Sequence, residues 1–343
     1  MPTYRESGVD IAAATQAKRL MAGAVRSTHS AAVLAGMGAF GGCFDLEQAL
    51  RGPAARRALQ GPPILVASTD GVGTKTLVAA ALERYDTVGQ DLVNHCINDI
   101  LAQGAWPLFF LDYIAVARLD PQRVAALVAG VAAACRDAGC ALLGGETAEM
   151  PDVYHDGAFD LAGTIVGLAG RSQLLPRDVA VGDAILALPS NGLHTNGYSL
   201  ARRVLAPISY QARPAELGGQ TIGEALLAVH RCYLREIAAL ETAGVPVRAI
   251  AHITGGGVYD NLPRVLGPEQ GAIIRRGSWP IPPICTLLVR LGQLDEQEAF
   301  HTLNMGLGML VIVPPDAADA ARQTLPEARL VGEVVRGEGV QLV

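Results

Sequence analysis

The segment STDGVGTK at residues 68–75 places an aspartate, two glycines and a lysine directly after the apolar run 64–67. This composition is typical of a turn that approaches phosphate, because glycine lets backbone amides come close and lysine supplies a positive charge. A P-loop needs adjacent Gly and Lys, which Thr74 separates here. The dinucleotide fingerprint needs Gly or Ala where Thr76 stands. If the segment binds phosphate, it belongs to another type of site.

Acidic residues lie at comparable junctions, where an apolar segment meets a turn or a polar face. These are Asp70, Asp99 and Glu146. Carboxylates suit hard cations, and Mg²⁺ takes one or two of them together with phosphate oxygens. Without such an ion, carboxylates and phosphates in one pocket would repel each other. Several glycine-rich loops accompany these residues, so the pattern favours a magnesium–nucleotide site.

Each feature also has an ordinary structural explanation. An Asp-Gly dipeptide is most often a turn signal. Asp91 and Asp99, taken alone, suit the solvated face of a helix, and the glycines at 255–257 suit a simple loop. For His95 we favour the structural explanation, a helix-face residue with no role. From the residues alone the prediction stops at a phosphate-handling enzyme.

The elements that would position these residues follow from hydrophobic periodicity and turn signals. On the predicted helix 87–103, apolar residues share one face, while Asp91, His95, Asn98 and Asp99 lie on the other. Asp120 and Pro121 predict the start of a helix that ends near Gly139. The other elements expected in the first half are a helix at 10–28, a glycine-rich irregular segment at 36–42, strands at 63–69, 108–117 and 161–170, and a strand followed by a glycine turn at 141–150.

The polar segment 171–183 looks like a domain join, since it contains Pro176 and shows no periodicity. Beyond it, strands are expected at 184–190 and 304–314, and a glycine loop at 254–257 precedes a helix that begins near Val258. Strands and helices alternate, so we predict an α/β (α+β-like) fold with two domains, 1–170 and 171–343.

Composition narrows the class of protein. Half of the 343 residues are apolar, 17% are charged and the net charge is −6, which indicates a globular protein and argues against a nucleic-acid partner. The longest apolar run, 124–135, is too short to span a membrane. The N-terminal residues do not have the pattern of a signal peptide. Cysteine spacing favours free thiols, so a cytoplasmic location is expected.

Taken together, seven segments in this order resemble the phosphoribosylformylglycinamidine cyclo-ligase family, also called aminoimidazole ribonucleotide synthetases. The resemblance runs from about Tyr4 to beyond Val313. It implies an N-terminal domain whose strands join those of a partner in a barrel across a homodimer, and a second α/β domain. The segments are STDGVGTK (68–75), CINDILAQGA (96–105), PLFFLDY (107–113), GGETAEMP (144–151), GLHTNGYSL (192–200), AHITGGG (251–257) and NMGLGM (304–309).

The resemblance also implies roles for residues. Asp70 and Asp99 would hold Mg²⁺ on the phosphates of ATP, and Lys75 would meet phosphate oxygens as a point charge. The remaining ATP-site positions are Gly71, Gly73, Thr74, Asn98, Gly144, Gly145 and Glu146. The candidates for the ribonucleotide substrate are His194, Asn196, Gly197, Thr254, Gly255, Gly256 and Gly257. Of the two substrate loops, the second is favoured for the 5′-phosphate, because its amides precede a helix.

The implied reaction converts ATP and formylglycinamidine ribonucleotide into aminoimidazole ribonucleotide, ADP and phosphate, by phosphorylation of the formyl oxygen. Lys75, Asp99 and His194 are the catalytic candidates. For His194 a general-base role and a role in binding substrate phosphate or hydroxyl stay open.

The sequence departs from the family at Ser68 and Leu303, which affects packing more than charge. The rival functions are another enzyme of the wider fold group and a catalytically idle nucleotide-binding protein.

Overall fold

The computed structural model describes residues 9–51 and 59–343. The beginning of the family resemblance, from Tyr4 to Gly8, lies outside these residues. The chain divides into two compact units. The first comprises Met1–Ile100 and Ala105–Gln173, and the second comprises Leu101–Gly104 and Leu174–Val343. The division after Gln173 lies within the segment 171–183 that resembles a domain join.

The described part of the first unit combines helices with a four-stranded sheet. Its elements in chain order are α1 (Ile11–Arg26), β1 (Val33–Ala35), β2 (Cys43–Phe44), α2 (Leu46–Leu50), β3 (Pro63–Gly71), α3 (Lys75–Ala81), α4 (Asp86–Ala102), β4 (Trp106–Val116), α5 (Pro121–Asp137), β5 (Ala141–Glu149), β6 (Phe159–Gly170) and a short 3₁₀ turn (Arg171–Gln173). The predicted helices at 10–28 and 87–103 and the strands at 63–69, 108–117 and 161–170 are confirmed with small shifts at their ends.

The sheet of the first unit has the strand order β3–β6–β4–β5. All neighbours are antiparallel except the parallel pair β4 and β5. Side chains such as Phe110, Ile114 and Ile165 are fully buried on one face. On β3, by contrast, burial alternates along the strand, and Leu65 is 60% exposed. One face of this sheet is therefore packed within the unit while β3 leaves apolar surface open.

Helix α4 is held by a close crossing with α5. A Cβ on Gly89 would lie 2.3 Å from the Leu127 carbonyl oxygen, and one on Gly130 would lie 2.2 Å from that of Asp86. The two backbones therefore approach with no room for a side chain. Helix α5 begins as predicted, with Asp120 accepting from the amides of its first turn and Pro121 at the first position.

The prediction of a glycine turn at 141–150 is wrong. Strand β5 continues through Gly144 and Gly145 to Glu149. A register shift opposite Phe110 and Leu111 of β4 accommodates the irregularity without ending the strand. Glycine is typical of turns, but here β5 pairs with β4 through both glycines, so the backbone stays in the strand.

The second unit is built around a six-stranded sheet with the order β12–β9–β11–β7–β10–β8. Its strand β10 is buried at every residue and so forms the core, where a strand was predicted. The elements in chain order are β7 (Ala184–Pro189), α6 (Tyr198–Val204), α7 (Ile222–Leu226), α8 (Leu234–Thr242), β8 (Ala249–His252), α9 (Gly257–Asn261), β9 (Gln270–Ile274), α10 (Pro283–Gly292), α11 (Glu296–Thr302), β10 (Leu307–Val313), α12 (Ala318–Thr324), β11 (Arg329–Arg336) and β12 (Gly339–Leu342).

Both units mix helices with predominantly antiparallel sheets. The predicted α/β fold of α+β type is therefore confirmed. Among the helices within 9–51 and 59–343, none has both the length and the apolar composition needed to cross a bilayer.

Candidate active site

Two carboxylates meet in the first unit, where β3 ends and α4 approaches its last turn. The Nε2 atom of His95 lies 2.8 Å from Asp70 Oδ2 and 3.8 Å from Asp99 Oδ2. We call Asp70, His95 and Asp99 the carboxylate cluster. Because Asp70 and Asp99 belong to different elements, only folding brings them together. The structure thus joins the two residues that the sequence predicted as metal ligands.

For His95, which we interpreted as a helix-face residue with no role, the structure adds contacts that the sequence did not indicate. This side chain is buried rather than solvated on the helix face, and it contacts both predicted metal ligands. The spacing of Asp91, His95 and Asp99, each four residues apart, places all three along one side of α4. That periodicity is the signal in the sequence that could have identified His95.

The electrostatics of the cluster follow from this contact. Burial raises the pKa of Asp70, but the hydrogen bond and charge of His95 outweigh it, so the pKa lies below its ordinary value. Burial lowers the pKa of His95, but the hydrogen bond with Asp70 and the charge of Asp99 raise it above its ordinary value. The contact therefore stabilises the carboxylate of Asp70 and the cationic form of His95 together.

The donor set of the cluster fits a hard divalent cation. The side chains of Asp70 and Asp99 are 43% and 27% exposed, so ligands from solvent could reach them. Asp99 Oδ2 accepts from Ser68 Oγ at 3.1 Å, and Asp70 Oδ1 accepts from the Gly71 amide at 2.7 Å. These bonds orient oxygen atoms of the kind that Mg²⁺ prefers. Ser68, a departure from the family, thus contributes to the site.

The predicted phosphate contact of Lys75 has a different geometry from the one expected. Its ammonium lies 2.8 Å from Asp91 Oδ2, and neither side chain has any exposure. Burial lowers the pKa of Lys75, an effect that Asp91 opposes. The expected solvated position of Asp91 is therefore wrong, and Asn98 on the same helix is also fully buried. The ion pair anchors the start of α3 to α4.

The turn that opens α3 is as tight as its glycines suggest. Gly73 has a φ of 54°, a left-handed conformation that favours glycine, and a Cβ on Gly71 would lie 3.0 Å from the Leu161 carbonyl oxygen. Thr74 is the N-cap residue. The backbone is thus folded closely between the carboxylate cluster and Lys75.

The predicted ATP-site residues on β5 share one part of the sheet. Gly145 and Glu146 are exposed, and Gly144 is half-buried. A Cβ on Gly145 would lie 2.0 Å from Asp112 Oδ1. The missing side chain of Gly145 therefore makes room for a carboxyl group of the neighbouring strand, which the sequence did not indicate.

In the second unit, the two loops predicted to bind substrate meet. A Cβ on Gly255 would lie 3.2 Å from Asn196 Oδ1, so the loops 194–197 and 254–257 are adjacent. Gly197 has a φ of 78°, and a Cβ there would lie 2.5 Å from Leu303. Gly256 and Gly257 are also left-handed. The helix after them, α9, is one short turn, so it adds little dipole to the loop amides.

Asparagines that the prediction missed hold both loops in shape. Asn261 donates to the carbonyl oxygens of Gly255 at 3.1 Å and Gly257 at 2.8 Å. Asn304 donates to the Gly192 carbonyl at 2.8 Å and accepts from Ser190 Oγ at 2.9 Å. The motif NMGLGM therefore supports the first loop, a role that only the folded chain reveals.

Beside the first loop, three buried imidazoles form what we call the histidine cluster: His194, His230 and His252. The ring of His194 stacks on that of His230 with centroids 4.0 Å apart. His230 Nε2 lies 3.1 Å from His252 Nε2. Of the three, the sequence analysis assigned a role only to His194. His252 lies in the segment AHITGGG without an assigned role, and His230 lies outside the seven family segments.

Comparison with known proteins identifies the family and the fold. The family model of the AIR synthase related protein N-terminal domain matches residues 53–169, and that of the C-terminal domain matches residues 180–343. The solved structures with a similar fold include E. coli HypE, a hydrogenase maturation protein, with 19% identity, a TM-score of 0.65, and coverage of 95% of this chain and 93% of that one. A hydrogenase maturation protein HypE in complex with ATP has 17% identity and a TM-score of 0.61, with coverage of 90% of this chain and 92% of that one. These likenesses establish the fold.

Curated relatives are much closer in sequence. The phosphoribosylformylglycinamidine cyclo-ligase of Gloeobacter violaceus is 46% identical over 345 residues, covering 98% of this chain and 99% of the relative. That of Acetivibrio thermocellus is 43% identical over 349 residues and covers both chains completely. The chain belongs to the phosphoribosylformylglycinamidine cyclo-ligase family, as its motifs predicted.

Proposed function

We propose that this protein uses ATP to close the imidazole ring of formylglycinamidine ribonucleotide, with release of aminoimidazole ribonucleotide, ADP and phosphate. The names of its full-length relatives support the reaction. The observation that carries the proposal for this chain is the meeting of Asp70 and Asp99 at one point beside a glycine-rich turn. An arrangement of this kind suits a metal–triphosphate.

At the ATP end, Asp70 and Asp99 would hold the magnesium ion that accompanies the nucleotide. When bound, that ion would neutralise phosphate charge and orient the γ-phosphoryl group. The amide of Gly73 would supply a donor to phosphate oxygens, since the backbone there carries no side chain. The Gly71 amide already donates to Asp70. The complex of a neighbouring fold with ATP supports the nucleotide part of the proposal. Direct phosphate contact by Lys75 requires its ammonium to leave Asp91.

At the substrate end, the loops 194–197 and 254–257 would bind the ribonucleotide, and the amides of the second loop would take its 5′-phosphate. In the first step, a bond forms between the formyl oxygen and the γ-phosphorus while the bond to ADP breaks. This step turns a poor leaving group into phosphate. Positioning and charge neutralisation are the main demands of such a transfer.

In the second step, the ribose-bearing nitrogen attacks the activated formyl carbon, and phosphate departs. Because nitrogen and carbon belong to one molecule, holding them in contact supplies most of the acceleration. The nitrogen must lose a proton, and a neutral imidazole can accept it near pH 7. His194 is our candidate for this group, with substrate binding as the other role open to it.

We further propose a cytoplasmic homodimer that binds no nucleic acid. The apolar Leu65 side chain left 60% exposed on β3 supports a partner sheet against this face. All six cysteines lie in the described part of the chain and are free thiols, which suits a reducing compartment.

The reaction itself tests the proposal. The purified chain is supplied with ATP and Mg²⁺, with or without formylglycinamidine ribonucleotide, and both ADP and diazotisable aminoimidazole are measured. We expect equal amounts of the two products, and neither without the substrate. Asp99→Asn should slow turnover on the order of 100-fold or more, the scale of losing one charge-stabilising group. Asp86→Asn, at the exposed start of the same helix, serves as the matched control and should retain activity.

The outcomes separate the rival functions. Hydrolysis of ATP that does not depend on the substrate would indicate another enzyme of the wider fold group. Nucleotide binding without any turnover would indicate a catalytically idle protein. Near-normal activity of Asp99→Asn would remove its proposed role at the metal.

A further inference from the structure

The histidine cluster of the second unit has a geometry that ring closure alone does not require. Each of the three imidazoles offers a ring nitrogen, and these nitrogens all lie within 4.8 Å of one another. His194, His230 and His252 are exposed by only 1%, 0% and 6%. They come from separate parts of the chain: a loop, the segment before α8, and the end of β8. Folding has therefore concentrated three basic nitrogens at one buried point.

The separation of the paired nitrogens is close to that of ligands on a metal. His230 Nε2 and His252 Nε2 are 3.1 Å apart. Two nitrogens bound tetrahedrally to Zn²⁺ at about 2.0–2.1 Å lie roughly 3.3–3.4 Å apart. A small outward movement of the two rings would thus admit an ion where they now share a proton. His194 offers a third ring nitrogen within 4.8 Å of the other two. Its ring is stacked on that of His230, with centroids 4.0 Å apart, so it must tilt for its lone pair to meet the same ion.

A second contact orients His230 as a ligand. Its Nδ1 atom lies 3.3 Å from Thr195 Oγ1. When Nδ1 carries the proton and donates to this hydroxyl, Nε2 keeps its lone pair directed toward His252. Metal-binding histidines usually have such a partner on the other nitrogen, because it fixes the tautomer and the ring orientation.

The backbone is also adapted to the cluster. His194 has a φ of 62°, which a residue with a side chain rarely adopts and which is often found at functional sites. A Cβ on Gly308 would lie 3.2 Å from His194 Cε1 and would overlap the Tyr233 hydroxyl. The bare backbone of β10 at Gly308 thus leaves space for the rings.

We propose that His194, His230 and His252 bind one divalent transition-metal ion, with Zn²⁺ as the ion that this set favours. Coordination uses the lone pair that a general base needs, so in the metal-bound protein His194 is a ligand and not the base. Imidazole nitrogen suits Zn²⁺ and its neighbours, whereas Mg²⁺ prefers oxygen. The site is therefore distinct in chemistry from the carboxylate cluster. Three protein ligands leave a fourth tetrahedral position open to a small ligand.

The test uses Co²⁺ as a spectroscopic substitute for Zn²⁺. The untagged chain is stripped with a chelator and titrated with Co²⁺, and the visible absorption typical of tetrahedral coordination is recorded. We expect saturation at one equivalent and reversal by Zn²⁺. His230→Gln should abolish the absorption. Thr195→Val, which keeps all three rings, should weaken Co²⁺ binding by about 10- to 100-fold.

The exposed His155 provides the control, since His155→Gln should bind Co²⁺ like the wild type. Circular dichroism verifies that each variant is folded. The wild-type result does not depend on the variants. If the wild type shows no tetrahedral absorption, the proposal is overturned and the cluster is a hydrogen-bonded part of the core. Undiminished binding by His230→Gln also overturns it, because the ion would then lie elsewhere.

Discussion

At the scale of single residues, Lys75 and Asp91 form an ion pair that is entirely buried. Removing one partner leaves an uncompensated charge in the interior. Lys75→Met should therefore lower the free energy of unfolding by about 3–5 kcal/mol, whereas the double change Lys75→Met with Asp91→Leu should recover most of that loss. Urea denaturation of the wild type and of the two variants measures both effects. Equal stability of Lys75→Met and wild type would contradict the buried pair and favour a lysine that faces phosphate.

Asp112 on β4 supplies a prediction about pH. Burial raises the pKa of its carboxyl group to about 7, above the ordinary value that the unfolded chain retains. The folded protein therefore holds this proton more tightly, and the stability linked to it is present at low pH and is lost as pH rises through about 7. Asp112→Asn removes the dependence. Its Tm relative to wild type should be higher at pH 8 than at pH 5.

Thermal denaturation of both proteins at the two pH values provides the measurement. Comparing the difference between variant and wild type cancels the titration of other groups. The same difference at both pH values would mean that Asp112 is ionised in the folded state.

The sequence predicted individual ligands better than their partners. Asp70 and Asp99 could be chosen because each lies in a recognisable motif. Their contact with His95 could not be predicted, because the polar face of an amphipathic helix has the same sequence pattern whether it meets water or the end of a strand. His230 was missed for a related reason, because it lies outside the family segments. His252 lies in the segment AHITGGG, but nothing in that segment shows that its ring meets two other imidazoles.

At the scale of elements, the crossing of α4 and α5 positions the carboxylate cluster, because Asp99 and His95 are carried by α4. Gly130→Ala places a methyl carbon 2.2 Å from the Asp86 carbonyl oxygen, so the helices must separate. We expect a loss of about 1–3 kcal/mol in unfolding free energy. Gly23→Ala on α1 is the matched control, since a Cβ there has open space, and should gain up to about 1 kcal/mol.

Chemical denaturation compares the two alanine variants directly. If Gly130→Ala were as stable as Gly23→Ala, the helices would not pack as closely as their backbones indicate. The rate of ATP turnover provides a second test, because a displaced α4 should slow it in the folded Gly130→Ala variant.

Most elements could be predicted from periodicity and capping signals. Helix α5 is the clearest case, with Asp120 and Pro121 marking its start. Strand β5 was the exception. The glycines at 144 and 145 resemble a turn locally, but pairing with β4 and the space needed by Asp112 decide the conformation, and both are tertiary effects.

At the scale of the whole molecule, the family motifs extend over both compact units, which is why the fold and the proposed reaction could be predicted together. Each unit contributes its own part: the first gathers the carboxylate cluster, and the second brings the two glycine loops together. The homodimer remains a proposal that rests on the resemblance and on the exposed apolar surface of β3.

The central claim is that Asp70 and Asp99 jointly hold the metal of the nucleotide. The most direct measurement is a crystal structure of the protein with a non-hydrolysable ATP analogue and Mn²⁺ in place of Mg²⁺, with anomalous scattering to locate the ion. The account predicts an anomalous peak within coordination distance of both carboxylates and in contact with the phosphates. A nucleotide-bound structure in which the Mn²⁺ peak touches neither Asp70 nor Asp99 would contradict it.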